Sequence, residues 1–412
     1  MTDTLAILVG GGPAPGVNGV IASAAMEGFK YGLRVIGIYD GYRDLAAGRA
    51  PHTRELTFDD VSRIHTTGGS ILRTSRTNPA KDEQSLENCI SALAKLDVRY
   101  LVCIGGDDTT FGAARIAERA DGKIGVATVP KTIDNDLPLP DNAPTFGFET
   151  ARSVGAGLVD SLMEDARTTA RWYVVVTMGR KSGALALGIC KAAGATLAVI
   201  PEELPGTVDL AYIVDTIVGA IVKRRSVGRE HGIAVVAEGV AERLPLESLA
   251  HLENVAHDSF GNISLADLPL GTILRDGVRK RLDTLGLSST IHAKDIGYEL
   301  RCARPVAFDV DYTRTLGFGA VRYLLSGGSG ALISLSGGHV APVALEELLD
   351  PRTGRIRTRQ VDTTAEAYHV ARDYMMRLEP RDFVFPKLDR LASVTRLTPE
   401  EFKAQFERVA LE

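Results

Sequence analysis

Three short segments combine glycines with acidic or basic side chains in a pattern that suits phosphate and magnesium chemistry. Gly10–Gly16 (GGGPAPG) is rich in glycine, Ile104–Thr110 (IGGDDTT) sets two carboxylates beside two glycines, and Val129–Asp136 (VPKTIDND) carries one lysine and two aspartates. Backbone amides in a glycine turn can approach an anion closely, and a helix that starts there adds partial positive charge. Together the segments indicate metal-assisted phosphoryl transfer.

Each segment also has an interpretation that needs no ligand. Gly10–Gly16 can be a plain tight turn, because its glycines match neither GxxxxGK[ST] nor GxGxxG. Asp107 and Asp108 can cap a helix, although carboxylate oxygens are also the ligands that Mg²⁺ prefers. If the third segment is extended, Asp134 and Asp136 project to one side, where one can accept a proton while the other supports the metal or substrate. Otherwise it is a self-capping loop.

Apolar runs that alternate with amphipathic stretches provide the elements that must position these segments. This pattern predicts an α/β fold in which parallel strands are joined by helices. Ligands bind at the carboxyl edge of such sheets, so the three segments, each at the end of a strand, are expected to meet there. The predicted strands are Leu5–Val9, Leu33–Ile38, Tyr100–Ile104, Ile124–Val129, Trp172–Val176, Leu197–Ile200, Ile233–Ala237 and Ala331–Leu335.

Composition excludes several functional classes. The 412 residues carry a net charge of −5 and no dense Lys/Arg block, so a nucleic-acid partner is not expected. No apolar run reaches membrane-spanning length, and Leu5–Val9 is too short for a signal sequence. Cys89, Cys103, Cys190 and Cys302 are widely spaced, which is typical of reduced thiols. We expect a soluble cytoplasmic protein with no membrane partner.

The chain resembles the phosphofructokinase family from Leu5 to about Arg322. The resemblance implies the phosphofructokinase fold, with two Rossmann-like lobes, mainly parallel sheets and the active site in the cleft between the lobes. It also implies Mg²⁺-dependent transfer of a phosphoryl group to the 1-hydroxyl of fructose 6-phosphate. The motifs that carry it are GGPAPGVN (Gly11–Asn18), GGSILRTSR (Gly68–Arg76), GGDD (Gly105–Asp108), PKTIDND (Pro130–Asp136), MGR (Met178–Arg180), Glu238 in VAEG, and GYELR (Gly297–Arg301).

The same resemblance implies a division of the chain into lobes. Residues 1–146 with about 302–345 would bind the donor, and residues 147–301 would bind the sugar phosphate. Residues 241–290 are a possible insertion, and 346–412 would form a C-terminal helical extension.

Residue roles follow from the resemblance position by position. Asp134 would be the base for the 1-hydroxyl with Asp136 in support, Thr132 would contact the transferred phosphoryl group, and Asp107 would hold Mg²⁺. Lys131 and Arg180 complete the catalytic set. The predicted donor-binding residues are Gly11, Gly12, Arg76, Asp108 and Lys131, and the predicted substrate-binding residues are Arg171, Met178, Gly179, Arg180, Glu238, His292, Tyr298 and Arg301.

Two departures from the family pattern affect the sugar-phosphate site. Tyr298 stands where many ATP-using members have His, and His292 stands where they have Arg, so Lys294 is a possible substitute in contacting the 6-phosphate. Arg171 matches a position that the family supplies from a neighbouring subunit. The resemblance therefore implies a homodimer or homotetramer with sites shared between subunits.

The phosphoryl donor is predicted from Asp108 and Lys131. ATP-using members usually carry Gly at the first position and often at the second, whereas the Asp and Lys pair resembles the pyrophosphate-using branch. A carboxylate at Asp108 would clash with the ATP α-phosphate and ribose and repel the phosphate charge. The Lys131 cation would help to neutralise pyrophosphate. We expect a reversible reaction of glycolysis and gluconeogenesis.

Three alternatives remain at this stage. An ATP-dependent 6-phosphofructokinase would keep the fold and tolerate Asp108. A dinucleotide-dependent oxidoreductase would need the GxGxxG spacing that the first turn lacks. A catalytically silent sugar-phosphate-binding subunit is disfavoured by the intact Asp107, Asp134 and Asp136.

Overall fold

A computed structural model of the protein describes residues 2–245 and 268–410. The chain divides into two compact units. Unit 1 comprises Met1–Ala151 and Tyr298–Arg359, and unit 2 comprises Arg152–Gly297 and Gln360–Glu412. The predicted C-terminal extension, 346–412, is thus divided between both units.

Regular elements occupy most of the described chain. Of the predicted insertion 241–290, residues 246–267 lie outside the described residues. The strands are β1 (Thr4–Val9), β2 (Arg34–Ile38), β3 (Thr53–Glu55), β4 (Val98–Gly105), β5 (Gly125–Pro130), β6 (Arg171–Thr177), β7 (Leu197–Val199), β8 (Gly232–Ala237), β9 (Thr290–Ile296), β10 (Ala331–Ser336) and β11 (His339–Ala344). The α-helices are α1 (Val17–Lys30), α2 (Arg43–Ala46), α3 (Phe58–Val61), α4 (Glu83–Lys95), α5 (Asp107–Arg119), α6 (Phe148–Thr169), α7 (Ala184–Ala193), α8 (Leu210–Arg225), α9 (Leu270–Thr284), α10 (Tyr298–Arg301), α11 (Ala307–Leu325), α12 (Glu366–Asp373), α13 (Lys387–Ser393) and α14 (Pro399–Phe406).

The described strands of unit 1 form a seven-stranded sheet in the order β11-β10-β5-β4-β1-β2-β3. The five central strands pair in parallel, and β3 and β11 close the two edges in antiparallel pairs. Strands β1, β4 and β5 are therefore neighbours, and their carboxyl ends lie at the same edge of the sheet.

Helices cover both faces of this sheet, which fits the predicted α/β fold of parallel strands joined by helices. One face packs against α1 and α11, and the other packs against α4 and α5. Helices α1 and α11 approach closely at Gly317, where an added Cβ would lie 2.6 Å from the Val20 carbonyl oxygen. A larger side chain at Gly317 would force these helices apart.

The described strands of unit 2 form a four-stranded sheet, β7-β8-β6-β9, in which every pair is parallel. Strand β8 is buried along its whole length. Helices α8 and α9 pack against each other, and α9 also contacts β6 and β9. The α/β class is confirmed in both units.

All eight strands predicted from apolar runs are present, with ends that differ by one or two residues. Helix α1 begins at Val17, directly after the glycine turn, as predicted. Strands β3, β9 and β11 were missed because polar or exposed residues interrupt them. None of the helices among the described residues is long and apolar enough to span a membrane.

Candidate active site

The three predicted turns of unit 1 meet at the carboxyl edge of its sheet. The Gly10 N–H donates to the Ile104 carbonyl oxygen at 2.9 Å, and the Lys131 N–H donates to the Gly105 oxygen, also at 2.9 Å. The Lys131 side chain crosses to the first turn, where its Nζ donates to the Gly12 carbonyl oxygen. Backbone and side-chain contacts thus join the ends of β1, β4 and β5.

The first two turns need glycine because both face Thr109. An added Cβ at Gly10 or at Gly105 would lie 2.3 Å from the Thr109 Oγ1, well inside contact distance. Thr109 is the third residue of α5, and it is buried. The glycines therefore allow the two strand ends to close around one side chain.

Gly11 adopts a conformation that favours glycine, with φ of 79°. Its N–H donates to the Ser75 carbonyl oxygen at 2.7 Å, and its own carbonyl accepts from the Thr74 hydroxyl at 2.6 Å. The next residue, Arg76, is exposed. The predicted donor residues Gly11 and Arg76 are thus brought together, and the Gly11 N–H is used within the protein rather than offered to an anion.

Asp107 and Asp108 lie in the first turn of α5. The residue that caps this helix is Gly106, so neither aspartate is the N-cap. Asp107 is half-buried and Asp108 is exposed. Negative charge is favoured in the first turn of a helix, and both aspartates directly precede Thr109, which contacts the first glycine turn at Gly10.

The loop after β5 carries Thr132, Asp134 and Asp136 and is not extended. Asn135, between the two aspartates, has a φ of 57°, so the condition under which both would project to one side is not met. The loop is held internally instead. The Asp134 N–H donates to the Thr132 Oγ1 at 3.0 Å, and the Thr145 hydroxyl donates to the Thr132 carbonyl oxygen at 2.8 Å.

Two residues predicted to bind the sugar phosphate, Tyr298 and Arg301, belong to unit 1. Both lie in the short helix α10. The Arg301 guanidinium carbon lies 5.4 Å from the Tyr298 ring centre and 3.4 Å from the position of an added Cβ at Gly12. Arg301 is therefore next to the glycine turn that was predicted to bind the donor.

In unit 2, the MGR motif lies in the loop after β6, and a carboxylate holds it. Glu238 Oε1 accepts from the Gly179 N–H at 3.1 Å and from the Arg180 N–H at 2.8 Å. Arg180 is exposed and has a φ of 47°. The structure thus brings Gly179, Arg180 and Glu238 together, with Met178 directly before them.

A second carboxylate supports the same loop and was missed from the sequence. Glu202 Oε1 accepts from the Gly183 N–H at 2.9 Å and from the Val361 N–H at 3.0 Å. Burial raises the pKa of the Glu202 carboxyl, and these backbone donors oppose the rise. Glu202 lies shortly after the end of β7, and acidic residues that follow strands also marked the predicted turns of unit 1. This position was therefore the sequence signal that could have identified it.

Arg171 and His292 are not brought to the MGR loop. Arg171 begins β6, whereas Met178 follows the end of that strand, so about 20 Å of extended chain separates them. The Arg171 Nη1 lies 3.7 Å from Asp165 Oδ2, and His292 packs against Tyr173 with ring centres 5.6 Å apart. Arg171 and His292 form a second group in unit 2, whereas Lys294, two residues after His292 on β9, pairs with Val175 of β6.

Comparison with known proteins agrees with this architecture. The family profile described as phosphofructokinase matches residues 4–324. The chain is 51% identical over 414 residues to the pyrophosphate–fructose 6-phosphate 1-phosphotransferase of Thermotoga maritima, and the match covers 98% of each chain.

Two solved structures share the fold at low identity. The pyrophosphate-dependent phosphofructokinase of Marinobacter aquaeolei gives a TM-score of 0.68 at 17% identity, and the match covers 90% of each chain. Saccharomyces cerevisiae phosphofructokinase gives a TM-score of 0.66 at 22% identity; the match covers 84% of this chain but 45% of that longer one. From the family match and its coverage, the chain belongs to the phosphofructokinase family.

Proposed function

We propose that this protein transfers a phosphoryl group from pyrophosphate to the 1-hydroxyl of fructose 6-phosphate, giving fructose 1,6-bisphosphate and phosphate. The observation that carries the proposal is the end-to-end match, at 51% identity, to a relative with this named activity. The reaction breaks the phosphoanhydride bond of pyrophosphate and forms a phosphate ester on the sugar, without a nucleotide. We propose that it is reversible and serves both glycolysis and gluconeogenesis.

Asp134 is proposed as the base that takes the proton from the 1-hydroxyl. Its backbone N–H donates to the Thr132 Oγ1, which keeps the two residues together, and Thr132 is proposed to contact the transferred phosphoryl group. Asp136 follows two residues later and is almost fully buried, with 8% of its surface exposed. A base contributes only if it is held within hydrogen-bond reach of the proton, and the internal bonds of this loop provide such restraint.

Pyrophosphate is proposed to bind at the glycine turn of unit 1. Lys131 is 4% exposed, and its Nζ lies at the Gly12 carbonyl, so its charge is directed to the turn rather than to solvent. The exposed Asp108 would exclude the nucleoside part of ATP by its volume and charge. Arg76 would add a guanidinium that grips phosphate oxygens.

Mg²⁺ is proposed to bind at Asp107. Within residues 2–245 and 268–410, no group of three or more His, Cys, Asp or Glu is placed to hold a metal ion. Mg²⁺ commonly takes one or two carboxylates and completes its shell with water and substrate phosphates. When bound, the ion would neutralise charge on the transferring phosphoryl group. The half-buried Asp107 presents a hard oxygen ligand beside the turn.

The sugar phosphate is proposed to contact the MGR loop. Arg180 would stabilise the phosphoryl group during its transfer, whereas Met178, Gly179 and Glu238 would line the sugar-binding site. Glu238 holds the loop through backbone amides with one oxygen, Oε1. Tyr298, 77% exposed, and Arg301 would contribute from their helix.

A homo-oligomer with shared sites is proposed because of Arg171. Arg171 and His292 are grouped far along the sheet from Arg180 and Glu238, so one protomer cannot direct all four at one ligand through unit 2 alone. Supply of Arg171 and His292 to a partner's 6-phosphate would resolve this. We also propose a cytoplasmic location, with which four free cysteines are consistent.

The donor assignment can be tested with the purified protein. Fructose 1,6-bisphosphate formation is measured from fructose 6-phosphate and Mg²⁺ with pyrophosphate or ATP as sole donor, and the reverse reaction is run from fructose 1,6-bisphosphate and phosphate. We expect activity in both directions with pyrophosphate and none with ATP. Activity with ATP would make the protein a 6-phosphofructokinase of the ATP type, and silence with both donors would overturn the proposed reaction.

The same assay extends to the gate at Asp108. Asp108→Gly removes both the volume and the charge that we hold responsible for excluding ATP, so this variant is expected to gain measurable turnover with ATP. Glu118→Ala, on the same helix but paired with Arg115 at its far end, is the matched control. No gain with ATP would show that the donor is selected elsewhere.

A further inference from the structure

The segment after β11 forms a small hairpin that ends at the proposed base loop. Leu349 and Ile356 form an antiparallel bridge, and the turn between them is closed by two backbone bonds. The Asp350 N–H donates to the Arg355 oxygen at 2.8 Å, and the Gly354 N–H donates to the Asp350 oxygen at 2.7 Å. The hairpin thus reverses the chain three residues before Arg359.

Arg359 binds the loop through its side chain and its backbone. Its Nε donates to the Asn135 carbonyl oxygen at 3.0 Å, its Nη1 donates to the Ala143 oxygen at 2.8 Å, and its Nη2 donates to the Asn135 Oδ1. Its backbone N–H donates to the Asp136 carbonyl oxygen at 2.7 Å. One residue therefore joins both ends of the loop, which are eight positions apart.

These bonds fix the backbone on both sides of Asp136. The Asn135 carbonyl belongs to the peptide group before Asp136, and the Asp136 carbonyl belongs to the peptide group after it. Both peptide planes are held by Arg359, so rotation of the Asp136 backbone would break hydrogen bonds that are partly buried. The constraint passes through Asn135 to its other neighbour, Asp134.

Apolar packing joins the same two segments. Leu137 and Leu139, which follow the aspartates, are buried in one cluster with Leu345 and Leu348 of the hairpin region, and Ile356 packs against that cluster. The hairpin region therefore packs against the apolar residues that follow the aspartates, while Arg359 binds the polar backbone of the loop. Neither contact depends on a ligand.

The guanidinium suits this place for reasons that lysine does not share. Three of its nitrogens donate to three separate acceptors, whereas a lysine side chain has one nitrogen on a flexible stem. Burial lowers the pKa of Arg359, and the charge of Asp136 acts in the opposite direction. The cation thus remains matched to a nearby carboxylate.

We propose that Arg359 is a positioning residue that sets the geometry of the loop carrying Asp134 and Asp136. This inference rests on the proposed function, in which Asp134 is the base. It assigns a role to a residue outside the stretch matched by the family profile, which ends at residue 324. Arg359 itself need not touch substrate.

The test compares Arg359→Ala and Arg359→Lys with the matched control Arg357→Ala. Arg357 lies in the same hairpin and is exposed, and it contacts the carbonyl of Glu347 rather than the loop. For Arg359→Ala we expect kcat with pyrophosphate to fall by about 100-fold, the loss typical of a slightly misplaced reacting group. The KM for fructose 6-phosphate should stay within about threefold of that of the parent protein. Arg359→Lys should show an intermediate kcat.

Two further measurements separate positioning from general destabilisation. Added guanidinium at non-denaturing concentration should restore part of kcat in Arg359→Ala and none in Arg357→Ala. Hydrogen exchange should accelerate at the Thr145 amide, which donates to the Asn135 Oδ1 at 3.0 Å, and not in the control. If Arg359→Ala fails to fold, Arg359→Lys is measured in the same way.

The outcomes distinguish this inference from the proposed function. If the parent protein is inactive with pyrophosphate, the proposed function fails, and unchanged exchange at Thr145 in the variants would overturn the inference independently. If the parent is active, equal kcat in the Arg359 and Arg357 variants would overturn the inference alone. If Arg359→Ala lowers the melting temperature together with kcat, and added guanidinium does not restore kcat, Arg359 would be merely structural.

Discussion

Asp134 lies in a loop whose conformation comes from hydrogen bonds of neighbouring residues, and this makes a clean test of its proposed role possible. The bond that fixes it uses its backbone N–H, which donates to Thr132 Oγ1. Replacing the carboxylate with an amide keeps this bond and nearly the same volume. The substitution therefore removes the proton acceptor and leaves the local backbone bond in place.

We predict that Asp134→Asn lowers kcat by about 10²- to 10⁴-fold, the range attributed to a general base. The melting temperature and the KM for fructose 6-phosphate should change little, because neither depends on proton transfer. The control is Asp141→Asn in the same segment, where the side chain contacts Ser336 Oγ at 2.5 Å. Near-normal turnover in Asp134→Asn would rule out Asp134 as the base.

The residues of this loop were predictable from the sequence, but the residue that holds it was not. Local motifs marked Lys131, Thr132 and the two aspartates, since glycine or acidic residues directly follow a strand. Arg359 lies in a stretch with no such signal. The Arg359 partner Asn135 is 224 positions away, and a contact of that separation leaves no local pattern in one sequence.

At the scale of elements, strands were predictable where both faces are buried. β1 is buried at every position and was recognised from its apolar run. β9 alternates between exposed, half-buried and buried positions, and β11 has only exposed and half-buried ones, so their sequences lack the continuous apolar run that identified the others. The missed strand β9 carries His292, a predicted substrate-binding residue, and Lys294 beside β6.

The junction between α8 and β8 has a titratable contact. Arg224, 7% exposed near the end of α8, lies with its Nη2 3.1 Å from the Nε2 of His231, which directly precedes β8. Since a guanidinium only donates, Nε2 must accept, and the imidazole is neutral. Burial lowers the pKa of His231, and the positive charges of Arg224 and Arg229 lower it further.

This contact predicts a loss of stability in mild acid. The unfolded chain binds a proton at His231 near its ordinary pKa of about 6.5, whereas the folded protein resists it, so stability falls as pH drops below that value. His231→Gln keeps an acceptor without titrating. Between pH 7.5 and 5.5 the melting temperature of the parent should fall further than that of His231→Gln, with exposed His339→Gln as control. Parallel curves for the parent and His231→Gln would contradict the assignment.

At the scale of the whole molecule, the chain builds each unit from separate stretches. It leaves unit 1 at Ala151, returns at Tyr298 and leaves again after Arg359. The family resemblance implied two α/β lobes. It did not predict that residues after 345 would enter both units, since no motif marks their partners.

Arg171 leads to a prediction about the assembled protein. Arg171 begins β6 and the MGR motif follows its end, so a site that uses Arg171 together with Arg180 needs a second protomer. Arg171→Ala leaves Asp165 with its hydrogen bond from Tyr173, which limits damage to the local structure. The variant should therefore lose affinity for fructose 6-phosphate while remaining folded.

Co-expression of Arg171→Ala with Asp134→Asn tests whether sites are shared. Each variant alone should be nearly inactive at fructose 6-phosphate concentrations well below KM. In a mixed dimer, one site combines the intact Asp134 of one protomer with the intact Arg171 of its partner. Random assortment makes half the dimers mixed, with one competent site in two, so activity should recover to about a quarter of the parent's. Because a site built within one protomer would carry one defect in every combination, failure to recover activity in verified mixed dimers would exclude sharing of Arg171.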